Sequence, residues 1–213
     1  MSDPILAFAG RKKNDELILA LRDLGWLDAE SRTLDPTYGK GRFWKLWQPN
    51  DLVRTDIVPR LSPDTKRKGL DATKLHETFG QEFDVVVIDG PYKLNGTPDG
   101  GGPADSDEDY GVHVPARWQD RYTLLEDMMR SGVRVLKPKE RGKKKPRLLF
   151  KCQDQVVSGQ KRFQSVDFAV LGRELGLRLA DTLYVEGYRA QPSGRTQKHA
   201  QQDFSVMLVF EVK

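Results

Sequence analysis

The stretch FDVVVIDGPY, residues 83–92, combines the clearest strand pattern of the chain with an unusual ending. A continuous β-branched run is typical of a strand that is covered on both faces, as in a parallel sheet. The run ends in an acid, a glycine, a proline and an aromatic residue, a composition that predicts a turn. The stretch therefore predicts a central strand that carries a carboxylate out of the core beside a stiff backbone and an exposed ring.

Strand and helix patterns alternate along the rest of the chain. Strands are predicted within 32–41, 52–59, 147–156, 179–190 and 203–213, and a short strand or turn at 70–75. Apolar residues at helical spacing predict helices at 121–138 and 163–177 and a helix that Asn14 or Asp15 caps and Gly25 closes. Such alternation predicts one α/β domain with a largely parallel sheet and helices on both faces.

Composition narrows the class of protein. The chain has 213 residues, of which 38% are hydrophobic and 31% charged, which predicts a soluble, folded protein with one core. No apolar run approaches the roughly 18–20 residues that span a membrane, and no signal peptide pattern is present. A single cysteine, Cys152, excludes an internal disulfide framework and a cysteine-rich zinc site, and it fits a buried strand position. We therefore expect a cytoplasmic protein without membrane contact.

Charge is unevenly distributed. The net charge is +4 and the pI about 9.1, a balance that suits a polyanionic partner. Basic residues cluster at 66–68, 137–147 and 189–199, and acidic residues at 104–111. Each cluster taken alone is equally typical of a solvated loop.

Three features at predicted strand ends point to a nucleotide. Gly39 and Gly41 in LDPTYGKGRFW, residues 34–44, would let the backbone approach a ligand, although a lone GxG is also typical of a tight turn. Trp at position 44 breaks the GxGxxG pattern, and no P-loop Lys-Ser/Thr follows, so the loop does not fit pyrophosphate. Asp56 at the second strand end is placed to hold ribose hydroxyls, and Asp71 to accept from an adenine amino group.

Two of these stretches resemble a known family, the class I S-adenosylmethionine-dependent methyltransferases that modify exocyclic amino groups of nucleic-acid bases. LDPTYGKG is similar to the family's cofactor loop, written Asp-Pro-Phe-x-Gly-x-Gly, and IDGPY is similar to its catalytic Asp-Pro-Pro-Tyr motif. The resemblance covers nearly all of residues 32–213. It implies a Rossmann-like fold with a seven-stranded, mostly parallel sheet whose last strand is antiparallel. It also implies a methyltransferase domain at 31–213 after an N-terminal helical extension at 1–30.

The resemblance implies S-adenosylmethionine as the cofactor and assigns two sets of residues. The catalytic set is Asp89, Gly90, Pro91 and Tyr92. The cofactor-binding set is Asp35, Pro36, Thr37, Tyr38, Gly39, Gly41, Asp56, Asp71 and Ala72. No metal is expected, because methyl transfer from a sulfonium needs none.

The chemistry of the target explains the acidic turn. An exocyclic amine of a base is a poor nucleophile, because its lone pair is delocalised into the ring. The Asp89 carboxylate and the Gly90 carbonyl can each accept one amine hydrogen, which favours a pyramidal nitrogen with a free lone pair. Pro91 has no N–H to compete and stiffens the turn, and Tyr92 offers a face on which the base stacks. Accurate positioning then supplies much of the acceleration.

Position 90 departs from the family pattern, which has proline there. The backbone carbonyl survives this change, but a glycine predicts a looser turn at an ordering cost of roughly 0.5–1 kcal/mol. An acid at position 89, rather than a serine, favours adenine N6 over cytosine N4 as the target.

DNA is the expected partner, and a base in a duplex must be flipped out to reach such a site. The long loop at 93–118 would clamp the flipped base. Phosphate contacts are expected from two basic stretches, with Lys143, Lys144, Arg189, Arg195, Lys198 and His199 as the candidates. Gln153 and Asp154 are weaker site candidates. No separate recognition region is visible, which predicts a short target sequence or loose specificity.

Several alternatives stay open at the level of the sequence. The same motifs suit RNA as the substrate, or cytosine N4 in DNA. A catalytically silent nucleic-acid-binding protein could keep the fold, although intact Asp89, Gly39 and Gly41 count against it. The oligomeric state and the target sequence are not determined.

Overall fold

A computed structural model describes residues 4–66, 68–94, 117–187, 198–200 and 202–213. These residues form a six-stranded sheet and a separate two-stranded hairpin. The strands are β1 (Thr33–Asp35), β2 (Leu52–Arg54), β3 (Val85–Ile88), β4 (Arg147–Cys152), β5 (Gln155–Val157), β6 (Gln160–Arg162), β7 (Leu177–Glu186) and β8 (Phe204–Val212). The α-helices are α1 (Asn14–Asp23), α2 (Trp118–Val135) and α3 (Gln164–Glu174).

The sheet has the strand order β2-β1-β3-β4-β8-β7. Strands β1 to β4 pair in parallel, whereas β8 pairs antiparallel with both β4 and β7. This topology confirms the predicted mostly parallel, Rossmann-like α/β fold with an antiparallel last strand.

The stretch at 70–75, predicted as a strand or turn, forms a 3₁₀ helix at Ala72–Glu77. Asp71 explains this local choice, because its carboxylate accepts hydrogen bonds from the Thr73 backbone N–H at 2.9 Å and the Thr73 hydroxyl at 2.8 Å. These local bonds stabilise a turn at the expense of strand pairing. The expected seven-stranded sheet therefore has six strands within the described part of the chain.

Helices cover both faces of the sheet, as predicted. The valines at 85 and 87 of β3 pack with α1, whereas Val86 and Ile88 pack with α2 and α3. All four residues are buried, which explains why β3 reads as an unbroken apolar run instead of an alternating one. The core thus extends through the sheet and encloses β3 completely.

Helix α1 lies directly on the sheet. Leu17, Ile18 and Leu21 are fully buried in one cluster with Val87 of β3 and Val209 of β8. The proposed division of the chain at residue 30 stays a prediction, but α1 contributes to the same core as the strands that follow it.

No helix in the described ranges combines the length and the apolar character that crossing a membrane requires. The cytoplasmic location stays a prediction.

Helix α3 packs so closely on β8 that a methyl group does not fit between them. A Cβ added to Gly172 would lie 2.4 Å from Cε1 of Phe210, a ring that is fully buried. We expect Gly172→Ala to lower the free energy of unfolding by about 1–3 kcal/mol, although alanine favours a helix. Gly80→Ala, where no atom lies within 4 Å of the added Cβ, is the matched control. Urea unfolding of both variants measures the effect, and equal stabilities would contradict this packing.

Candidate active site at the carboxyl ends of the strands

The predicted site residues leave neighbouring parallel strands at the same edge of the sheet. β1 ends at Asp35 and β3 at Ile88, so the glycine loop and the Asp89 turn start side by side. The Asp89 backbone N–H donates to the Thr37 hydroxyl at 2.9 Å, which joins the two motifs directly. In open α/β sheets ligands bind at this edge, so the placement suits a ligand site.

The glycine loop adopts a backbone that other residues rarely take. Gly39 has φ of 54° and Gly41 has φ of 67°, both in the left-handed region. A Cβ at Gly41 would also lie 2.6 Å from the Tyr38 hydroxyl oxygen. Glycine is therefore required at position 41 by conformation and by space, and the loop presents backbone without a side chain there.

Asp35 anchors this loop from inside the protein. Its carboxylate accepts hydrogen bonds from the Thr37 N–H at 2.9 Å, the Thr37 hydroxyl at 3.1 Å and the Trp44 indole N–H at 2.8 Å. Burial raises the pKa of Asp35 to about 7, against the opposing effect of these donors. The residue thus shapes the cofactor loop from below, while the loop backbone forms the surface.

The raised pKa of Asp35 predicts a pH-dependent stability. The folded chain holds this proton more tightly than the unfolded chain, so the stabilisation is complete below about pH 4 and is lost as the pH rises to about 7. Relative to Asp35→Asn, which does not titrate, the wild type should lose up to roughly 4 kcal/mol across that range. Urea unfolding of both proteins at several pH values tests this. If the difference in unfolding free energy between the two proteins stayed constant with pH, Asp35 would be ionised throughout this range.

Asp56 and Asp71 lie next to the glycine loop, but both carboxylates already support the backbone. Asp56 accepts from the Gly39 N–H at 2.9 Å and the Val58 N–H at 2.8 Å. Its carbonyl accepts from the Leu70 N–H at 2.8 Å, which draws Asp71 and the buried Ala72 to the same edge. A carboxylate has about four acceptor positions, so these bonds restrict Asp56 as a ribose ligand without excluding it.

Asp89 lies beside a buried lysine that the sequence analysis missed. Lys151 of β4 places its Nζ 3.3 Å from Oδ1 and 3.5 Å from Oδ2 of Asp89, and it donates to Oδ1 of Asn14 at 2.9 Å. The ammonium also lies 5.1 Å from the Tyr92 ring centre and 5.4 Å from that of Phe43. A lysine within the apolar strand RLLFKC was a readable signal, because lysine is rarely buried without a partner.

The charge of Lys151 is supported despite its position. Burial opposes the ammonium form, but the Asp89 carboxylate and Tyr92 outweigh burial and raise the pKa of Lys151. Asp89 is therefore paired with a cation that stays charged. The pair is electrically neutral as a whole, which limits repulsion toward a positively charged ligand nearby.

One oxygen of Asp89 is left as an acceptor. Oδ1 is buried and accepts no hydrogen bond from the described residues, since the contact with Lys151 lacks hydrogen-bond geometry. A buried oxygen without a donor is costly, and such atoms in native proteins call for an explanation. A donor group of a bound substrate would provide one.

The glycine at position 90 has a different role from the expected one. A Cβ there would lie 2.8 Å from Cδ2 of Leu125 and 3.0 Å from Sδ of Met128, so the backbone is pressed against α2. The prediction of a looser turn is therefore wrong: the turn is closely packed, and glycine is what permits this packing. The Gly90 carbonyl accepts from the Tyr92 N–H at 2.8 Å across Pro91, which uses one of its two lone pairs.

Buried glutamines hold the end of this turn. The Tyr92 carbonyl accepts from Nε2 of Gln155 at 2.6 Å and from Nε2 of Gln164 at 2.8 Å. Arg121 donates to the Lys93 carbonyl at 2.7 Å. These polar residues are buried and come from three separate elements, so the segment at 89–94 is fixed at several points.

The predicted phosphate contacts are not in one place. Lys143 and Lys144 precede β4 and form ion pairs with Glu140 and Asp28 at the amino ends of the strands. The six residues of β4, roughly 20 Å, separate them from the Asp89 edge. Lys198 and His199 lie on the carboxyl side, where His199 bonds to the Gly159 carbonyl at 3.0 Å.

The remaining candidates from the sequence lie outside the described residues or have structural roles. Arg189, Arg195 and nearly all of the predicted clamp at 93–118 lie outside the described residues. Asp154 accepts from the N–H and the hydroxyl of Ser165 at the start of α3, and Cys152 is buried in β4.

The pairing of Lys151 with Asp89 predicts a large effect on stability. Lys151→Met leaves the carboxylate without its counter-charge, so we expect a loss of about 3–5 kcal/mol in unfolding free energy. Adding Asp89→Asn should restore part of this loss, because the uncompensated charge is removed. Lys144→Met removes an exposed ion pair and should change stability by less than about 1 kcal/mol. Denaturant unfolding at neutral pH compares the wild type, the single variants Lys151→Met, Asp89→Asn and Lys144→Met, and the double variant. Strict additivity of the two site changes would count against the pairing.

Comparison with known proteins identifies the fold. The sequence matches no protein-family model and no curated protein. Among solved structures it resembles the magnesium protoporphyrin IX methyltransferase of Synechocystis, whose structure contains bound S-adenosylhomocysteine. The two chains share 11% identity with a TM-score of 0.53, and the match covers 94% of this chain and 82% of that one. It also resembles an S-adenosylmethionine-dependent methyltransferase of Leishmania major, at 15% identity, a TM-score of 0.51 and coverage of 92% and 72%.

A third similar structure, from Thermus thermophilus, is provisionally described as a DNA modification methylase. It shares 18% identity and a TM-score of 0.41, and the match covers 67% of this chain and about half (50%) of that protein. At this TM-score the match carries no argument about the substrate. The comparisons show that the chain has the fold of the class I S-adenosylmethionine-dependent methyltransferases.

Proposed function

We propose that the chain is an S-adenosylmethionine-dependent DNA methyltransferase that modifies the N6 amine of adenine. The observation that carries the proposal is the Asp89 Oδ1 atom, a buried acceptor without a hydrogen bond within the described residues, located beside the glycine loop. The fold supports the reaction class, since the two neighbours reported with TM-scores of 0.53 and 0.51 are named as methyltransferases.

The cofactor site would use the loop and the acids around it. The residues that would form the S-adenosylmethionine site are Asp35, which supports the loop from inside, and Pro36, Thr37, Tyr38, Gly39, Gly41, Asp56, Asp71 and Ala72. The left-handed glycines fit this role, because they expose backbone where side chains would fill the cradle. When bound, the cofactor supplies an electrophilic methyl group on a sulfonium.

The chain's own residues would prepare the amine. Asp89 accepts one amine hydrogen through Oδ1, and Lys151 holds the carboxylate in place through its charge. The Gly90 carbonyl accepts the second hydrogen with the lone pair that the Tyr92 N–H leaves. With both hydrogens bound, the nitrogen lone pair would be free to take the methyl group that the cofactor would supply as its S–C bond breaks. The surplus proton leaves the nitrogen, with Asp89 as the nearest base.

Asp89 supports amino methylation more directly than other methyl transfers. A carboxylate accepts from an amine, whereas an alcohol or carboxyl acceptor would not need two hydrogen-bond acceptors around the nucleophile. RNA adenine and DNA cytosine N4 present the same amine, so they are the second candidates.

Substrate identity can be tested directly. The protein is incubated with labelled S-adenosylmethionine and, separately, with unmethylated DNA, RNA and a protein mixture, and the labelled product is analysed as nucleosides. We expect label in DNA as N6-methyladenine. Label in RNA or as N4-methylcytosine would select a second candidate, and label in protein alone would contradict the proposal.

Removing the carboxylate should separate catalysis from cofactor binding. We expect Asp89→Ala to reduce kcat by at least about 10²-fold, the lower range for loss of a positioned acid–base group, with the Kd for S-adenosylmethionine nearly unchanged. Asp127→Ala, an exposed acid of α2, is the control and should retain full activity. Calorimetric titration with the cofactor and a transfer assay measure both properties. Transfer that survives Asp89→Ala would refute the mechanism.

A further inference from the structure

The β5–β6 hairpin, residues 155–162, extends from the catalytic edge of the sheet. It starts three residues after β4 ends, and its first residue, Gln155, donates to the Tyr92 carbonyl at 2.6 Å. The Leu94 N–H donates back to Oε1 of Gln155 at 3.2 Å. The hairpin is therefore bound to the catalytic turn through the buried side chain of Gln155.

The hairpin pairs cations with aromatic rings. The Arg162 guanidinium lies 4.2 Å from the Trp118 ring centre, and Lys161 Nζ lies 5.7 Å from that of Phe163. The Phe163 ring is 49% exposed, although it directly follows a strand and opens α3. Exposed aromatic rings with adjacent cations are typical of surfaces that bind single-stranded nucleic acid.

The segment at 198–200 lies on the same hairpin. Lys161 donates to the Ala200 carbonyl at 3.2 Å, and His199 contacts the Gly159 carbonyl at 3.0 Å. Lys198 thereby adds a further cation to this side of the molecule. The nearby Asp120 is paired with Arg117 at 2.8 Å, so its charge is already compensated.

From these contacts we infer that the hairpin surface, defined as Trp118, Lys161, Arg162, Phe163, Lys198 and His199, binds the polynucleotide strand beside the target base. The inference rests on the proposed function and specifies its substrate contact. Phe163 stacks an unpaired base next to the target, and Lys161 contacts a backbone phosphate. Gln155 connects the hairpin to the catalytic turn, because it is the first residue of β5 and donates to the Tyr92 carbonyl.

Direct binding measurements test this surface without catalysis. Fluorescence anisotropy is measured on labelled oligonucleotides of about 20 nucleotides, as single-stranded DNA, duplex DNA and single-stranded RNA, at several salt concentrations. We expect Phe163→Ala to weaken binding about tenfold, the middle of the range for loss of one stacked base. Lys161→Gln should lower the slope of log K against log salt by about 0.7–0.9. The arm with the tightest wild-type binding identifies the type of strand.

Matched control variants separate an effect of this surface from effects of overall charge or misfolding. Lys213→Gln removes an exposed lysine that follows β8 at the opposite edge, and Val170→Ala shortens an exposed apolar residue of α3, so neither should change binding. Circular dichroism and melting temperature check that each variant folds.

Three outcomes would overturn the inference. A wild type that methylates a polynucleotide while Phe163→Ala and Lys161→Gln bind normally would leave the proposed function intact and refute the surface. An equal loss in Lys213→Gln would refute it too, because the effect would follow overall charge. A wild type that binds no polynucleotide would overturn both proposals.

Discussion

A buried ion pair between adjacent strands organises the carboxyl edge of the sheet, where the candidate site lies. Asp89 follows β3 and Lys151 lies in β4, and parallel pairing of these strands brings the two charges to 3.3 Å. Either charge alone would lower stability in this setting, because each is largely removed from water. Together they permit a carboxylate to lie next to the core with one buried oxygen that accepts no hydrogen bond from the described residues. Asn14 of α1 completes the arrangement by accepting from the lysine.

The turn at residues 89–92 is held both by packing and by polar contacts. Gly90 presses against Leu125 and Met128, and two glutamines from other elements bind the Tyr92 carbonyl. The proposed positioning of an amine for in-line attack would need such rigidity, since small misplacements are costly in rate. The departure from the family pattern at position 90 therefore fits the packing of α2 and does not indicate a relaxed site.

Much of the fold was readable because its signals are local. The β-branched run of β3, the helical spacing in α1 to α3 and the glycines of the loop each depend on neighbouring residues. At 70–75, where the sequence predicts a short strand or turn, the strand does not form for a local reason too, since Asp71 and Thr73 favour a turn. Lys151, Gln155 and Gln164 were missed, because their role depends on partners 62 or more residues away in the chain.

The sequence by itself determined the α/β class, the order of the elements and the two motifs that place an acid and a glycine loop at strand ends. Only the tertiary structure decided what surrounds that acid: the lysine beneath it, the helix against Gly90, and the opposite locations of Lys143 and Lys198. The reason is physical. Propensity and periodicity act over a few residues, whereas compensation of a buried charge requires groups that only sheet pairing and helix packing bring together.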